Sequence, residues 1–220
     1  MKKQKQTIQT PKIPEIKFLM ELPNSKFDES ESYDNIILSN SDITGEKIDY
    51  VSLKHSYLKN ITMKETQFMR FDISDVCFEN CDLANAKWEK PILHRIEFVG
   101  CRLTGINMIE SYGRNIIFKD CNGKFGSFRF GNLQLVSFEN CNLSSANFQK
   151  SELSNVRFIN CDLRNLELSG AKLKETDFRG SKIEGIRVSI NDMRGSIIDP
   201  NQAADILEMN GLKVKWVDDL

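Results

Sequence analysis

Large apolar residues recur at every fifth position from Tyr33 to Ile198 without a slip of register. The series begins Tyr33, Leu38, Ile43, Ile48, Leu53, Leu58 and ends Phe178, Ile183, Val188, Met193, Ile198; of its 34 members only Gly113 and Gly123 depart from the rule. Two residues before each lies a smaller one, such as Ser56, Val76, Cys81, Ala86, Val136 or Ala171, and the other three places are largely polar. A period of five fits neither a helix, at about 3.6, nor a flat strand, at about 2. It fits a chain that runs extended briefly and then turns. Within the extended stretch, residues two apart share a face, so the large residue and the small one before it both point inward.

A second period lies over the first. Cys81, Cys101, Cys121, Cys141 and Cys161 are 20 residues apart, each inside a phrase such as Phe78-Glu-Asn-Cys-Asp-Leu or Phe138-Glu-Asn-Cys-Asn-Leu. Four pentads therefore close one square coil, and each coil stacks on the last. At an inter-strand spacing of about 4.8 Å, some eight and a half coils predict a rod roughly 40 Å long. One corner is marked by Asn60, Asn80, Gly100, Asp120, Asn140, Asn160 and Gly180, types that tolerate positive φ.

Stretches such as Cys81-Asp-Leu-Ala-Asn, Ala86-Lys-Trp-Glu-Lys, Cys161-Asp-Leu-Arg-Asn and Ala171-Lys-Leu-Lys-Glu resemble the pentapeptide-repeat family. The resemblance implies an all-β fold, a right-handed quadrilateral β-helix over residues 31–198. The Phe-x-x-Cys-x-Leu phrase and the Gln202-Ala-containing ending followed by Gly211-Leu are closest in pattern to the quinolone-resistance (Qnr-like) members. That closer likeness implies a homodimeric, non-enzymatic rod that binds DNA gyrase or topoisomerase IV; the alternative is a structural scaffold for another protein partner.

The ends need covers, because a stacked coil exposes unpaired backbone. Residues 1–13 are polar and expected to be a disordered tail. Residues 14–30 are expected to form the N-terminal cap, with Ile16, Phe18, Leu19, Met20 and Leu22 sealing the first coil. At the other end, 199–220 predict a helix–strand cap: Asp199 as N-cap, Pro200 as first helical residue, Ala203, Ile206 and Leu207 as an apolar stripe, Gly211 as the stop. Leu212, Val214 and Trp216 alternate as a short strand. Ile206, Leu207, Met209, Leu212, Val214 and Trp216 are the candidate dimer interface.

Charge adds little pull on nucleic acid or membrane: 30 basic residues face 31 acidic ones. The face containing Phe68, Trp88, Met108, Phe128 and Phe148 has the largest basic excess, with Lys47, Arg70, Lys87, Lys90, Arg129, Lys150 and Arg187 against Asp49, Glu89, Glu110 and Glu167. No acidic stripe of the kind a DNA mimic needs emerges from the counts. No apolar run reaches membrane-spanning length, so a cytoplasmic protein with reduced cysteines is expected. No catalytic constellation, cofactor motif or metal-ligand spacing is found, and His55 and His94 fall at outward positions with no evident nucleophile beside them. The one irregular stretch is Ile109 to Leu135, where the inward glycines leave space and Tyr112, Ile117, Phe125, Phe130 and Leu135 point outward. Those five are the candidate partner-binding residues; the other reading is a local twist in which Tyr112 or Phe125 fills the space beside a glycine.

Overall fold

The five-residue period closes into corners because every fifth residue takes a left-handed backbone. The computed structural model describes residues 7–22 and 26–215. In it Asn60 (φ 54°), Asn80 (φ 52°), Gly100 (φ 63°) and Gly180 (φ 74°) turn the corner that the sequence marks. The other three corners turn the same way with residues that carry no such mark, among them His55, Glu65, Lys90 and Leu135.

Between corners the chain is extended. The elements are a short 3-10 turn (Ile16–Phe18), β1 (Met20–Glu21), β2 (Ser32–Asp34), β3 (Ile36–Ser39), β4 (Lys47–Asp49), β5 (Ser52–Lys59), β6 (Gln67–Met69), β7 (Asp72–Glu79), β8 (Lys87–Glu89), β9 (Ile92–Val99), β10 (Tyr112–Lys119), β11 (Asn132–Glu139), β12 (Glu152–Ile159), β13 (Lys172–Lys174) and α1 (Pro200–Met209). Strand pairing is parallel throughout, and along the body it joins residues one coil apart: Leu53 with Ile73, Phe78 with Phe98, Phe118 with Phe138. The main sheet runs β1-β3-β5-β7-β9-β10-β11-β12-β13 with β2 beside β5, and a smaller one runs β4-β6-β8. The result is a parallel β-solenoid of about eight turns, as the double period predicts.

The interior is one continuous column. Phe78, Phe98, Phe118, Phe138, Phe158 and Phe178 stack face to face, with successive ring centroids 4.6–5.2 Å apart. Identical rings fit here because the coil spacing matches the thickness of a stacked aromatic pair. The ladder cysteines lie alongside, all buried and free. Each thiol donates to the carbonyl two residues before it and to one on the coil below, as Cys101 does to Val99 (3.5 Å) and Phe78 (3.3 Å). Shared hydrogen bonds with neighbouring thiols, together with burial, push Cys101 and Cys161 up, so they stay protonated.

The glycine gaps are filled from within. A Cβ on Gly113 would meet Ile116 Cδ1 at 2.7 Å and Leu133 Cδ2 at 2.8 Å, and one on Gly123 would meet Leu143 Cδ2 at 2.8 Å. Neighbouring core side chains occupy the space, while Tyr112 and Phe125 stay outside. The twist reading of this stretch is thereby overturned, and the register runs through it unbroken.

The ends differ from expectation in instructive ways. Of the five apolar residues expected to seal the first coil, only Leu19 and Leu22 are buried. Ile16, Phe18 and Met20 are exposed, since the segment extends the sheet as β1 beside β3 instead of folding into a plug. Phe27 does the sealing, edge-on to Tyr33 at 5.4 Å and to Phe68 at 6.4 Å. At the C-terminus, Asp199 and Gln202 form a reciprocal capping box at the start of α1. The buried stripe of α1 contains Gln202 and Ile206; Leu207 turns outward. Gln202 Nε2 donates to the carbonyls of Phe178 (2.6 Å) and Ser181 (2.8 Å), satisfying backbone that the last coil leaves open. Among the described residues, 212–215 form no strand. Trp216 lies outside the described residues.

Residues 7–13, expected to be disordered, are instead laid along the outside of the rod. The Gln9 N–H donates to Asn115 Oδ1 at 3.2 Å and the Lys12 N–H to Asp75 Oδ1 at 2.8 Å. Residues 1–6 of that expected tail lie outside the described residues.

Candidate functional site

Positive φ is costly for a bulky side chain, roughly 1–2 kcal/mol, and nearly free for Gly. Corner positions therefore separate residues chosen for the backbone from residues chosen for something else. Tyr50 (φ 60°), Phe125 (φ 61°), Phe130 (φ 58°) and Leu135 (φ 54°) belong to the second group. Strain of this kind points to a contact that compensates for it.

Two such corners can be compared. The first stacks Tyr50, Arg70, Lys90, Glu110, Phe130 and Lys150 one above another, each 20 residues from the last. The Arg70 guanidinium lies 5.2 Å from the Tyr50 ring centroid, and Arg129 lies 5.1 Å from that of Phe130. Lys150 reaches within 6.0 Å of the same Phe130 ring. Cations over aromatic faces hold the rings in fixed orientations. Ile92 and Tyr112, paired across β9 and β10, stand exposed beside this corner with Met69. A groove of about 460 Å³ runs along the adjoining face between Met69, Lys87, Glu89, Ile109 and Glu110. This is an open, basic and aromatic edge.

The second corner stacks His55, Asp75, Arg95, Asn115, Leu135 and Asn155. Here Asp75, Asn115 and Leu135 are buried although their positions point outward, as are Cys77 and Ser137 on the same outer face. Residues 7–15 lie across these coils. Arg95 grips Asp75 with Nε 2.6 Å from Oδ1 and Nη2 2.5 Å from Oδ2. His55 stands between Asp34 (2.7 Å) and Asp75 (3.7 Å). Burial alone would raise the Asp75 carboxyl; hydrogen bonds from Arg95 and the Lys12 N–H, with the charges of Arg95 and His55, prevail and hold it below the ordinary carboxylate value. Burial, with Arg95 beside it, lowers His94. Burial, with Glu97 and Glu79 nearby, pushes the Cys77 thiol up to about 12.

The five candidate partner-binding residues do not form one patch. Tyr112 and Phe130 share the open corner, and Phe125 stands exposed one corner earlier with Lys124 4.7 Å from its ring centroid. Ile117 and Leu135 belong to the covered corner and line a cavity with Ile8. The cause is the period of 20, which sends residues close in sequence to different sides of the square. Of the candidate dimer residues, Ile206 packs into the chain's own core, Leu207, Met209 and Leu212 are exposed, and Val214 is half-buried. The covered corner escaped the sequence reading. Its signals were an outward Leu at a corner and Cys77, the one cysteine off the ladder. Among the described residues, no group of three or more His, Cys, Asp or Glu is disposed to hold a metal ion, and no helix is long and apolar enough to cross a membrane.

Comparison with known proteins agrees with the repeat. A pentapeptide-repeat region model matches residues 131–205. The uncharacterized protein YisX of Bacillus subtilis strain 168 is 29% identical over 131 residues, which cover 58% of this chain and 59% of that protein. The chain thus matches about three fifths of the length of that curated relative. Among solved structures, HetL of the cyanobacterium Nostoc sp. strain PCC 7120, a pentapeptide repeat protein involved in heterocyst differentiation regulation, aligns over 77% of this chain and 87% of its own, at 16% identity and a TM-score of 0.50. A trypsin-treated form of QnrB1, a plasmid-mediated fluoroquinolone resistance protein, aligns over 90% of this chain and 100% of its own, at 16% identity and a TM-score of 0.47. The fold defines a parallel β-solenoid. In repeat and in fold the chain resembles the pentapeptide-repeat proteins, and residues 131–205 match that region directly.

Proposed function

We propose that the chain is a non-enzymatic protein-binding rod whose contact surface is the open corner. The observation that carries this is Phe130 and Tyr50, held exposed at left-handed positions that Asn or Gly would fill at lower cost. Aromatic rings oriented by Arg and Lys are the side chains that most often dominate protein contacts. The solenoid presents them on a rigid backbone, so docking orders little that is not already ordered.

DNA gyrase and topoisomerase IV are the first partners to test, on the strength of the repeated Phe-x-x-Cys-x-Leu phrase and the Gln202-Ala ending. Supercoiling by gyrase is measured with purified protein titrated in, with and without a fluoroquinolone. Protection that is lost in Phe130→Gly supports the reading. No effect on either enzyme at tens of micromolar protein overturns the topoisomerase part. The basic character of the corner favours a second reading, a scaffold for an acidic protein surface, whose capture weakens steeply as salt rises. A homodimer through Leu207, Met209 and Leu212 belongs to the same proposal. Sedimentation of Leu212→Asp against the native chain tests it, and equal mass for both overturns it. Six free cysteines fit a reducing, cytosolic setting.

A further inference from the structure

The covered corner has its own geometry. Asn115 and Asp75, which accept the Gln9 and Lys12 N–H groups, stand two coils apart, about 9.6 Å at 4.8 Å per coil. Gln9 and Lys12 are three residues apart, and three residues of polyproline-type chain span about 9.3 Å. Three extended residues therefore match two coils, and the match repeats along the rod. The segment suits this register. Pro11 and Pro14 favour the extended form. Ile8, Pro11 and Pro14, three apart, are half-buried, with Ile13, while Gln9, Thr10 and Lys12 are exposed.

The deepest burial in the corner column falls under the strap: Asp75, Asn115 and Leu135 are buried, His55, Arg95 and Asn155 are half-buried, and Glu175 is exposed. Beyond Ile8 the track continues as a cavity of about 400 Å³ lined by Leu135, Asn155, Arg157 and Ile197. Asn155 is the next amide in the series, two coils beyond Asn115.

We propose that this corner is a docking track for an extended protein segment with apolar residues at every third position, and that residues 7–15 are its resident, exchangeable occupant. Backbone N–H groups three apart bond the amide and carboxylate oxygens of Asn115 and Asp75, and apolar side chains three apart rest on Leu135 and Ile117. A partner segment of this kind enters by displacing the strap. The strap is tethered to the rod, so its effective concentration is high, on the order of millimolar, and it screens out weak competitors. The inference deepens the reading of the rod as protein-binding but uses a different corner, and its test needs no natural partner. A failed gyrase assay leaves it standing, and a strap that never exchanges leaves the gyrase assay standing.

Cys77 stands two residues from Asp75, the acceptor of the Lys12 N–H, and serves as the probe of the strap. It is buried on the outer face, whereas the ladder cysteines point into the core. Full-length protein carrying Ile8→Asp and Ile13→Asp is treated with N-ethylmaleimide, and labels are counted by mass. The expected result is a single label, acquired at least 10-fold faster than in the native chain. A free peptide of residues 7–15 at millimolar concentration restores protection to within twofold. Adding Asn115→Ala to that background abolishes the peptide's effect. An unchanged Cys77 rate overturns the proposal. So does labelling of the ladder cysteines, which makes the strap part of the fold, and so does a peptide that gives no protection, which leaves the corner unable to take a segment in trans.

Discussion

Two adjacent corners of one solenoid share a backbone and differ in what lies over them. At the open corner Phe130 is bulky, left-handed and exposed. At the covered corner Leu135 is bulky, left-handed and buried beside Ile8 in the same cavity. Both carry the same strain, but Leu135 is compensated by burial within the chain, whereas Phe130 has only exposed contacts with Arg129 and Lys150. The difference teaches that a bulky corner residue in a solenoid is read by what lies over it, since the backbone there accepts residues as different as Asn60, His55, Glu65 and Lys90.

The largest effect comes from the column that both corners share. Phe98→Ala removes a ring stacked on Phe78 and Phe118 at 4.8 Å each, and should lower stability by about 3–5 kcal/mol. Thermal denaturation checks it, and the loss should be the same whether or not the strap is weakened. Next is Asp75→Ala, which leaves Arg95 and the Lys12 N–H without their acceptor at the covered corner. It should cost about 1–3 kcal/mol by chemical denaturation.

The same carboxylate gives the covered corner a pH dependence. Because Asp75 is held below its ordinary value, its contribution is complete above the unfolded carboxylate value, about 3.9, and is lost as pH falls through the lower folded value. The difference in melting temperature between native protein and Asp75→Ala should therefore shrink as pH drops below about 4. A constant difference would separate Asp75 from the strap.

How much of this is legible in the sequence follows from where each signal is written. The solenoid is legible because its cause, one inward residue per pentad, is repeated from Tyr33 to Ile198, and a slip anywhere would show. The exposed rings of Tyr112, Phe125 and Phe130 are legible for the same reason, as outward places in a known register. The strap is not. Its hydrogen bonds join the backbone of Gln9 and Lys12 to side chains 106 and 63 residues away, and backbone donors leave no mark in a sequence. Its own period of three is carried by Ile8, Pro11 and Pro14 alone. The two bonds of Gln202 are not legible either, because a buried amide bonding two carbonyls looks like any polar residue on a helix.

The smallest expected effect is the most direct test. Melting temperatures of Phe130→Gly and Leu135→Gly are measured side by side. Both changes relieve a left-handed corner by roughly 1–2 kcal/mol. Phe130→Gly gives up exposed cation–ring contacts of about 0.5–1 kcal/mol, so its melting temperature should hold or rise. Leu135→Gly gives up a buried side chain worth about 1.5–3 kcal/mol and should melt lower. Equal falls in both would mean that Phe130 serves the fold after all, and the account of the open corner as a surface kept for a partner would be wrong.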